Sequence, residues 1–358
     1  MNKHILELCL SPNLGGLELF SYHCYSNFKE HGKCTIALDR DTKLDKYFNS
    51  NDKLYIKRSK IFPFIPALKL AKYIDEHNID IIHFHWTKDI ITAVMAKLLS
   101  KKKPKVIQSR HMTMTRFKDD VYHKWIYKNI DMIHAVTSQV AQQLRKFIPK
   151  DIRPKIELVY LGAKIQKAVE IDFLKEKYDL KDEFIVGIIG RIQDGKDQHI
   201  VIEAISKLND LNVKLFIVGD SMDDQYLEKL HLMCKDFEIQ NRVIFTGFTK
   251  DIDSLMKLCD VTVIATKNET FGLVVIESMA NKTPVIARNS GGPLEIIDDS
   301  IDGMFYDGSS DSLAQKIELL YSDKNLIEEM SNKAFIKVEE KFEFYKQLNK
   351  LYGVISAS

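Results

Sequence analysis

Short apolar runs alternate with longer amphipathic stretches along the whole chain. In the first half we predict strands at residues 4–10, 34–38, 53–56, 79–84, 105–109, 132–136 and 156–160. In the second half we predict strands at residues 184–189, 213–218, 243–245, 261–265 and 284–287. Amphipathic helices are expected between them, including 17–30, 67–77, 89–100 and 119–128, and the residues after 311 are helical in pattern. Strands that alternate with helices are typical of α/β proteins with parallel sheets.

The length favours two domains, because 358 residues exceed what one compact core usually holds. We predict two doubly wound α/β domains, residues 1–165 and 166–339, with the boundary near residues 162–168 and ligands at the carboxyl ends of the strands. No apolar run approaches the roughly 20 residues of a membrane span. The apolar N-terminal run indicates a first buried strand and not a signal peptide. The five scattered cysteines indicate reduced thiols in the cytoplasm, with neither a disulfide framework nor a zinc site.

The net charge of +2 conceals an asymmetry between the halves. Residues 1–165 hold 29 Lys and Arg against 16 Asp and Glu, and the remainder holds 23 against 34. A basic first half favours an anionic partner. Nucleic acid fits the charge, but no base-stacking or groove-reading motif accompanies it, so an anionic membrane surface is the better prediction.

Residues 265–297 combine several features of a ligand site. A strand leads through a polar loop with Glu269 into a helix that carries Gly272 in its first turn and Glu277 in its middle. A Gly291-Gly292 turn then leads into another helix at residue 294. Backbone N–H groups of residues 271–273 would lie at a helix start, where a diphosphate can bind. The two carboxylates could accept hydrogen bonds from sugar hydroxyls.

Two glycine-containing loops elsewhere follow predicted strands. Gly15-Gly16 lies between a strand and a helix, and it fits either close approach to a phosphate or simply a tight turn. It is neither GxGxxG nor a P-loop, which argues against a nicotinamide or ATP site. Gly190 precedes Arg191 and Lys196, two cations that suit a diphosphate or are merely solvated.

Histidines follow strands in the first half. Alternation places His83 and His85 on one face, so a metal pair is conceivable, but no local carboxylate or cysteine cluster completes it. Such a pair is more often structural or substrate-facing. His111 ends the next strand, and Arg110 beside it could bind an anion. Two Asp-x-Asp patterns, at 39–41 and 251–253, imitate metal motifs, but Asp251 is better explained as a helix cap. We therefore predict no metal site.

Residues 57–74 join basic residues to an apolar, proline-containing segment and a basic amphipathic helix. This pattern resembles an interfacial membrane contact, and an ordinary surface loop followed by a core-facing helix explains it equally well. A peripheral position on the inner face of the cell membrane is the corresponding expectation.

Taken in order, these motifs resemble those of retaining GT-B glycosyltransferases, and in particular the large nucleotide-sugar-dependent family 4 found in bacterial surface-glycan assembly. The similarity is carried by Gly190-Arg191 with Lys196, Glu269-Thr-Phe-Gly272 with Glu277, residues 284–287, and Ser290-Gly-Gly292 with Glu295. In the first half, Gly15-Gly16 with Glu18, and the strand ends at His83–His85 and Arg110-His111, are similar to the family's pattern. The resemblance spans most of residues 1–305.

The resemblance implies two Rossmann-like domains that face each other across a cleft, with a terminal helix at about 340–358 returning to the acceptor-binding first domain. The second domain would bind a UDP- or GDP-linked sugar. Arg191 and Lys196 would hold the diphosphate, Glu269 the hexose and Glu277 the ribose. Backbone N–H groups near Phe271, Gly272 and Leu273 and at Gly16 would hold phosphate, and Gly15 and Gly190 would belong to the same donor-binding set. His111 would lie near the anomeric centre, with His85 and Arg110 on the acceptor side.

The family needs no metal ion or other cofactor, and it transfers the sugar with retention of configuration to a glycan or lipid-linked acceptor. This sequence departs from the usual pattern at Ala265, Thr266, Asp197, Ser278 and Ser221, around the expected donor pocket. The alternatives are a catalytically silent sugar-nucleotide-binding protein and a nucleotide-sugar epimerase of similar fold.

Overall fold

The computed structural model describes residues 3–48, 52–59, 63–166 and 170–358. The chain forms two compact units, Met1–Leu161 together with Tyr345–Ser358 (unit 1), and Gly162–Phe344 (unit 2). The expected division placed the boundaries at residues 165/166 and 339/340.

Unit 1 contains a seven-stranded sheet in the order β3-β2-β1-β4-β5-β6-β7, and every neighbouring pair is parallel. Its strands are β1 (His4–Cys9), β2 (Lys33–Leu38), β3 (Lys53–Tyr55), β4 (Ile81–Phe84), β5 (Lys105–Arg110), β6 (Met132–Ala135) and β7 (Lys155–Leu158). The strand order reverses between β1 and β4, so the loops after these two strands diverge to opposite faces and leave a crevice at their carboxyl ends.

The helices of unit 1 cover the sheet because parallel strands need crossover connections. They are α1 (Gly16–His31), α2 (Lys43–Tyr47), α3 (Phe64–His77), α4 (Ile90–Leu99), α5 (Val121–Lys128) and α6 (Ser138–Phe147). Side chains of Thr42, Asp120 and Thr137 cap α2, α5 and α6 by accepting backbone N–H groups.

Unit 2 contains a six-stranded parallel sheet in the order β10-β9-β8-β11-β12-β13, which reverses between β8 and β11. Its strands are β8 (Phe184–Ile189), β9 (Val213–Val218), β10 (Val243–Gly247), β11 (Val261–Ile264), β12 (Val285–Arg288) and β13 (Met304–Tyr306). Its helices are α7 (Asp172–Lys177), α8 (Gln198–Ser206), α9 (Asp224–Asp236), α10 (Ile252–Leu258), α11 (Leu273–Ala280), α12 (Ser310–Ser322) and α13 (Lys324–Lys337).

The last helix, α14 (Phe344–Ser356), belongs almost wholly to unit 1. It packs on α1, where Asn349 Oδ1 accepts a 2.9 Å hydrogen bond from Asn27 and the Tyr352 ring lies 5.4 Å from that of Phe28. The side chains of Leu348, Leu351 and Ile355 are buried on its inner face.

The architecture matches the prediction of two doubly wound α/β domains, with a few local corrections. The stretch predicted as one helix at 89–100 is a 3₁₀ turn (Thr87–Asp89) followed by α4, and the helix expected at residue 294 is a 3₁₀ turn (Gly292–Glu295). The prediction missed β13. Asp251 caps α10 as predicted, accepting the Ser254 N–H. None of the described helices combines the length and apolarity needed to cross a membrane.

Candidate active site

The loop after β8 carries two of the predicted cations. Gly190 adopts φ +145°, and the backbone then turns through Arg191 into a 3₁₀ helix that ends on Lys196. Arg191 is exposed, and its guanidinium forms no hydrogen bond or ion pair with the described part of the chain. Its donors are therefore available to an anion.

Lys196 meets the predicted sugar-binding carboxylate. Its Nζ lies 2.9 Å from Glu269 Oε2, and both side chains are about one-quarter exposed. Because β8 and β11 are neighbours in the sheet, their following loops meet at the same edge. The structure thus brings together two residues that were assigned to one site from sequence.

The Glu269 loop is held by the glycine turn after β12. Gly292 N–H donates a 2.8 Å hydrogen bond to Glu269 O. Gly291 adopts φ +70°, and a Cβ at this position would lie 2.4 Å from the same carbonyl oxygen. Glycine is therefore required here, both for the left-handed backbone and for the close approach.

Helix α11 begins at Leu273, so Gly272, which was predicted in its first turn, lies instead at its N-cap with φ +96°. The first N–H groups of a helix lack intrahelical partners, so this terminus can receive an anion. The Phe271 side chain is buried, and its ring lies 6.2 Å from that of Phe342. Only the backbone of Phe271 can therefore serve the predicted phosphate contact.

Glu277 lies on α11 without a side-chain hydrogen bond among the described residues. Burial, reinforced by the nearby Asp253 carboxylate, raises the pKa of Glu277 to about 7. Asn281 lies beside it and donates 3.0 Å hydrogen bonds to Asp253 Oδ1 and to the Glu277 carbonyl. Glu277 is only partly exposed and accepts no hydrogen bond from a described side chain, so its carboxylate is suited to accept hydrogen bonds from a polyol such as ribose.

Asp197 follows Lys196 in a left-handed conformation, with φ 54° and ψ 32°. This conformation explains why glycine is usual at this position in the family that the sequence resembles. Aspartate is one of the few other residues that tolerate a left-handed backbone. Its Oδ2 lies 3.3 Å from Arg288 Nη1 at the end of β12. The sequence did not indicate a role for Arg288, because its partner comes from a loop 91 positions away.

In unit 1, Gly15 caps α1 and Gly16 is its first residue. The loop before them is braced by Ser11, which donates a hydrogen bond from Oγ to the buried Glu18 carboxylate. The Gly-Gly-x-Glu pattern therefore has a structural basis, in which the glutamate fixes the loop that precedes the helix.

His111 lies at the carboxyl end of β5, partly exposed above a buried polar cluster. Its Nε2 is 3.3 Å from His85 Nδ1, and His85 Nε2 is 2.7 Å from Glu7 Oε2. His85, expected on the acceptor side, is only 1% exposed and contacts His111. His83 and His85 share one face as predicted, since both bond to Glu7.

Arg110 is also occupied. It donates to the carbonyl oxygens of Met112 and Thr113 at 2.8 and 3.0 Å, and to Thr87 Oγ1 at 3.2 Å. In this structure its guanidinium therefore shapes the loop after β5, and an anion would have to replace these acceptors.

Cys24, His83 and His85 place potential metal ligands within 4.8 Å of one another. Each imidazole nitrogen of the two histidines is already hydrogen-bonded to a protein group. Burial raises the pKa of the Cys24 thiol well above its ordinary value, which keeps it protonated. The arrangement fits a buried hydrogen-bonded cluster better than a metal centre.

Two family models match the chain in succession. Residues 39–167 match glycosyltransferase family 4, and residues 170–337 match the group 1 glycosyl transferases. Among individual proteins, the N-acetyl-alpha-D-glucosaminyl L-malate synthase of Bacillus anthracis is 26% identical over 302 residues, 80% of this chain and 78% of that protein. The lipopolysaccharide core biosynthesis glycosyltransferase LpsE of Rhizobium meliloti is 30% identical over 203 residues, 56% of each protein.

Solved structures share the fold over the whole chain. A glycosyltransferase from Rickettsia africae has a TM-score of 0.89 at 24% identity, covering 99% of this chain and 98% of its own. HepE from Anabaena, solved with UDP-glucose, has a TM-score of 0.84 at 20% identity, covering 99% and 100%. With two tandem family models over most of its length and GT-B structures matching its fold, the chain belongs to the GT-B glycosyltransferases of family 4.

Proposed function

We propose that the protein transfers a hexose-type sugar from a nucleotide diphosphate sugar to a glycan or lipid-linked acceptor, without a metal ion and with retention of anomeric configuration. The observation that carries the proposal is the Lys196–Glu269 pair in unit 2, with the exposed Arg191 on the same loop as Lys196. Cations at this position suit the diphosphate, and the carboxylate suits the hydroxyls of the sugar.

The chemistry follows from the charges. As the bond between the anomeric carbon and the diphosphate breaks, negative charge accumulates on the leaving group. Arg191, Lys196 and the N–H groups at the start of α11 stabilise that charge, so no divalent ion is required. The Anabaena protein was solved with UDP-glucose, which makes UDP-linked sugars the first donors to test.

The test is a screen of UDP- and GDP-linked sugars in the presence of EDTA, with saccharide and lipid-linked acceptors. We expect a glycoside product whose anomeric configuration, read from its NMR coupling constant, equals that of the donor. An inverted product would contradict retention, and dependence on added Mg²⁺ or Mn²⁺ would contradict metal independence. An isomerised nucleotide sugar formed without any acceptor would indicate an epimerase.

We further propose that unit 1 contacts an anionic membrane surface through α3. Phe64, Ile65 and Leu68 are 50%, 70% and 51% exposed on this helix, and Lys69 and Lys72 project from the same element. Exposed apolar side chains beside lysines are typical of interfacial helices. Phe62, which belongs to the same predicted motif, lies outside the described residues.

Co-sedimentation with vesicles containing phosphatidylserine tests this contact. We expect binding that weakens at high salt and falls in the double variant Ile65→Ser/Leu68→Ser. The matched control is Leu319→Ser/Ile336→Ser, which removes two comparably exposed apolar side chains, 45% and 51%, from unit 2. Equal binding by the two double variants would remove α3 from the proposal.

A further inference from the structure

A continuous line of polar side chains crosses four adjacent strands in the interior of unit 1. It runs from β1 through β4 and β5 to β6, and all members except His111 are fully or almost fully buried. Its members are Glu7, His83, His85, Ser109, His111 and His134.

One end of the line fixes the direction of its hydrogen bonds. His134 Nε2 lies 2.8 Å from the carbonyl oxygen of Val159, which can only accept. The proton of this neutral imidazole must therefore be on Nε2. His134 Nδ1, 2.7 Å from Ser109 Oγ, is then the acceptor of the serine hydroxyl proton.

The same reasoning carries the direction to Glu7. Because the Ser109 hydroxyl donates its only hydrogen bond to His134, its oxygen must accept a hydrogen bond from His83 Nε2, 2.8 Å away. A neutral His83 then has no proton on Nδ1, which lies 2.6 Å from Glu7 Oε1. The proton in that bond must come from Glu7 as a carboxylic acid. Burial raises the pKa of Glu7 and lowers the pKa of His83 to about 3, in agreement with a neutral pair.

The second oxygen of Glu7 extends the line to the site. Glu7 Oε2 accepts from His85 Nε2, and His85 Nδ1 accepts from His111 Nε2. His111 Nδ1 is left with its lone pair as an acceptor. Phe20 of α1 packs edge-on against both rings, with centroids 5.7 Å from His85 and 5.2 Å from His111, which holds their planes.

We propose that Glu7, as a buried carboxylic acid, is a positioning residue that holds His111 in the Nε2–H tautomer, so that Nδ1 accepts a hydrogen bond from a substrate hydroxyl. The inference deepens the proposed transferase function and rests on it for the identity of the hydroxyl. A neutral acceptor suits this task because desolvation of the ring by the surrounding protein, together with the neighbouring His85, keeps the pKa of His111 well below its ordinary value.

The tautomers can be measured without any transferase assay. In ¹⁵N-histidine NMR spectra at pH 7, we expect His83, His85, His111 and His134 to be neutral, with the proton on Nε2 in all four. An Nδ1–H tautomer at His85 or His111, or an imidazolium at His83, would overturn the assignment. This readout stays valid if the proposed transferase function fails, so the two failures are distinguishable.

Substitutions of Glu7 test whether its side chain acts as a carboxylic acid or as a carboxylate. The Glu7→Gln amide reproduces one donor and one acceptor, so we expect kcat within about twofold of the parent and unchanged histidine tautomers. Glu7→Ala removes the hydrogen-bond donor and the acceptor, and it should lower kcat by roughly tenfold or more while the KM for the nucleotide sugar stays unchanged. Glu7→Asp, one methylene shorter, should fall between them and remains informative if the alanine variant does not fold.

Gln108→Leu is the matched control. Gln108 is equally buried on β5, adjacent to Ser109, and neither of its amide atoms is hydrogen-bonded among the described residues. We expect its kcat to be unchanged. If Glu7→Gln were as inactive as Glu7→Ala, or if Gln108→Leu lost as much activity as Glu7→Ala, the positioning role would be refuted.

Discussion

Lys196 Nζ and Glu269 Oε2 lie 2.9 Å apart, although the two residues are 73 positions apart in the sequence. In this structure, the cation assigned to the diphosphate is thus neutralised by the carboxylate assigned to the sugar. A bound diphosphate would compete with Glu269 for the same ammonium group. This competition gives the two residues opposite expected effects on nucleotide binding.

Removal of the cation should weaken both binding and turnover. For Lys196→Ala we expect weaker binding of the nucleoside diphosphate product in calorimetry and a kcat lower by roughly 100-fold or more, because leaving-group charge loses a fixed partner. Lys207→Ala is the control, since Lys207 is also ion-paired, to Asp311, but lies directly after the last residue of α8, at the far end of that helix from the loop. Comparable losses in the two variants would refute the assignment of Lys196.

Removal of the carboxylate should separate binding from turnover. For Glu269→Ala we expect tighter binding of the free nucleoside diphosphate, because Lys196 loses its competing partner, but slower turnover of the nucleotide sugar. The measurement is calorimetry with the diphosphate alone beside steady-state kinetics with the donor. Weaker binding of the diphosphate by this variant would contradict the competition.

Glu277 should make nucleotide binding depend on pH. Because the pKa of Glu277 is raised to about 7, the carboxylate proposed to accept ribose hydroxyls forms only as the pH rises through that value. We expect the affinity of the parent for nucleoside diphosphate to increase across this range relative to that of Glu277→Gln. If the ratio of the two proteins' affinities for nucleoside diphosphate did not change with pH, ionisation of Glu277 would have no role in nucleotide binding.

The same carboxyl group has a predictable effect on stability. Its pKa in the folded protein exceeds the ordinary value of 4.5, so the folded state binds its proton more tightly than the unfolded state does. Stability from this group is therefore complete below pH 4.5 and is lost as the pH rises through about 7. In urea titrations, Glu277→Gln should gain stability relative to the parent as the pH increases.

Gly291→Ala should destabilise the protein by at least about 2 kcal/mol, because it adds a strained left-handed backbone to a clash. The added Cβ would meet Glu269 O at 2.4 Å. Gly353→Ala is the control, since that position in α14 has no atom within 4 Å of the new methyl group. Gly353→Ala should leave the free energy of unfolding unchanged or raise it slightly, because alanine has a higher helix propensity than glycine. Equal unfolding free energies for the two variants would contradict the interlocked loops.

The longest strands could be predicted from sequence to within about one residue. Strands β8 and β9 were predicted with their observed bounds, because their apolar runs stop where the polar loops start. Strand β13 has only three residues at the sheet edge, too few to show a period. The predicted site residues of unit 2 meet because parallel topology brings the ends of β8 and β11 to one edge.

The polar cluster of unit 1 could not be assembled from sequence. Glu7 stands as a single charged residue within an apolar strand, which was a usable signal of a buried partner. Its partners, His83 on β4 and His85 directly after that strand, lie 76 and 78 positions away, and the direction of the hydrogen bonds depends on the backbone carbonyl of Val159. Such relationships arise only when strands from distant segments are placed side by side.

Unit 1 consists of two segments that are far apart in the sequence, and this affects the order in which the two units can complete their folding during synthesis. Phe28 of α1 is covered in part by Tyr352 of α14, and Asn27 bonds to Asn349. The ribosome therefore delivers every residue of unit 2 before the segment Tyr345–Ser358 that completes unit 1. The unit that is translated first is finished last, and its α1 surface stays open to chaperones for most of the chain's synthesis.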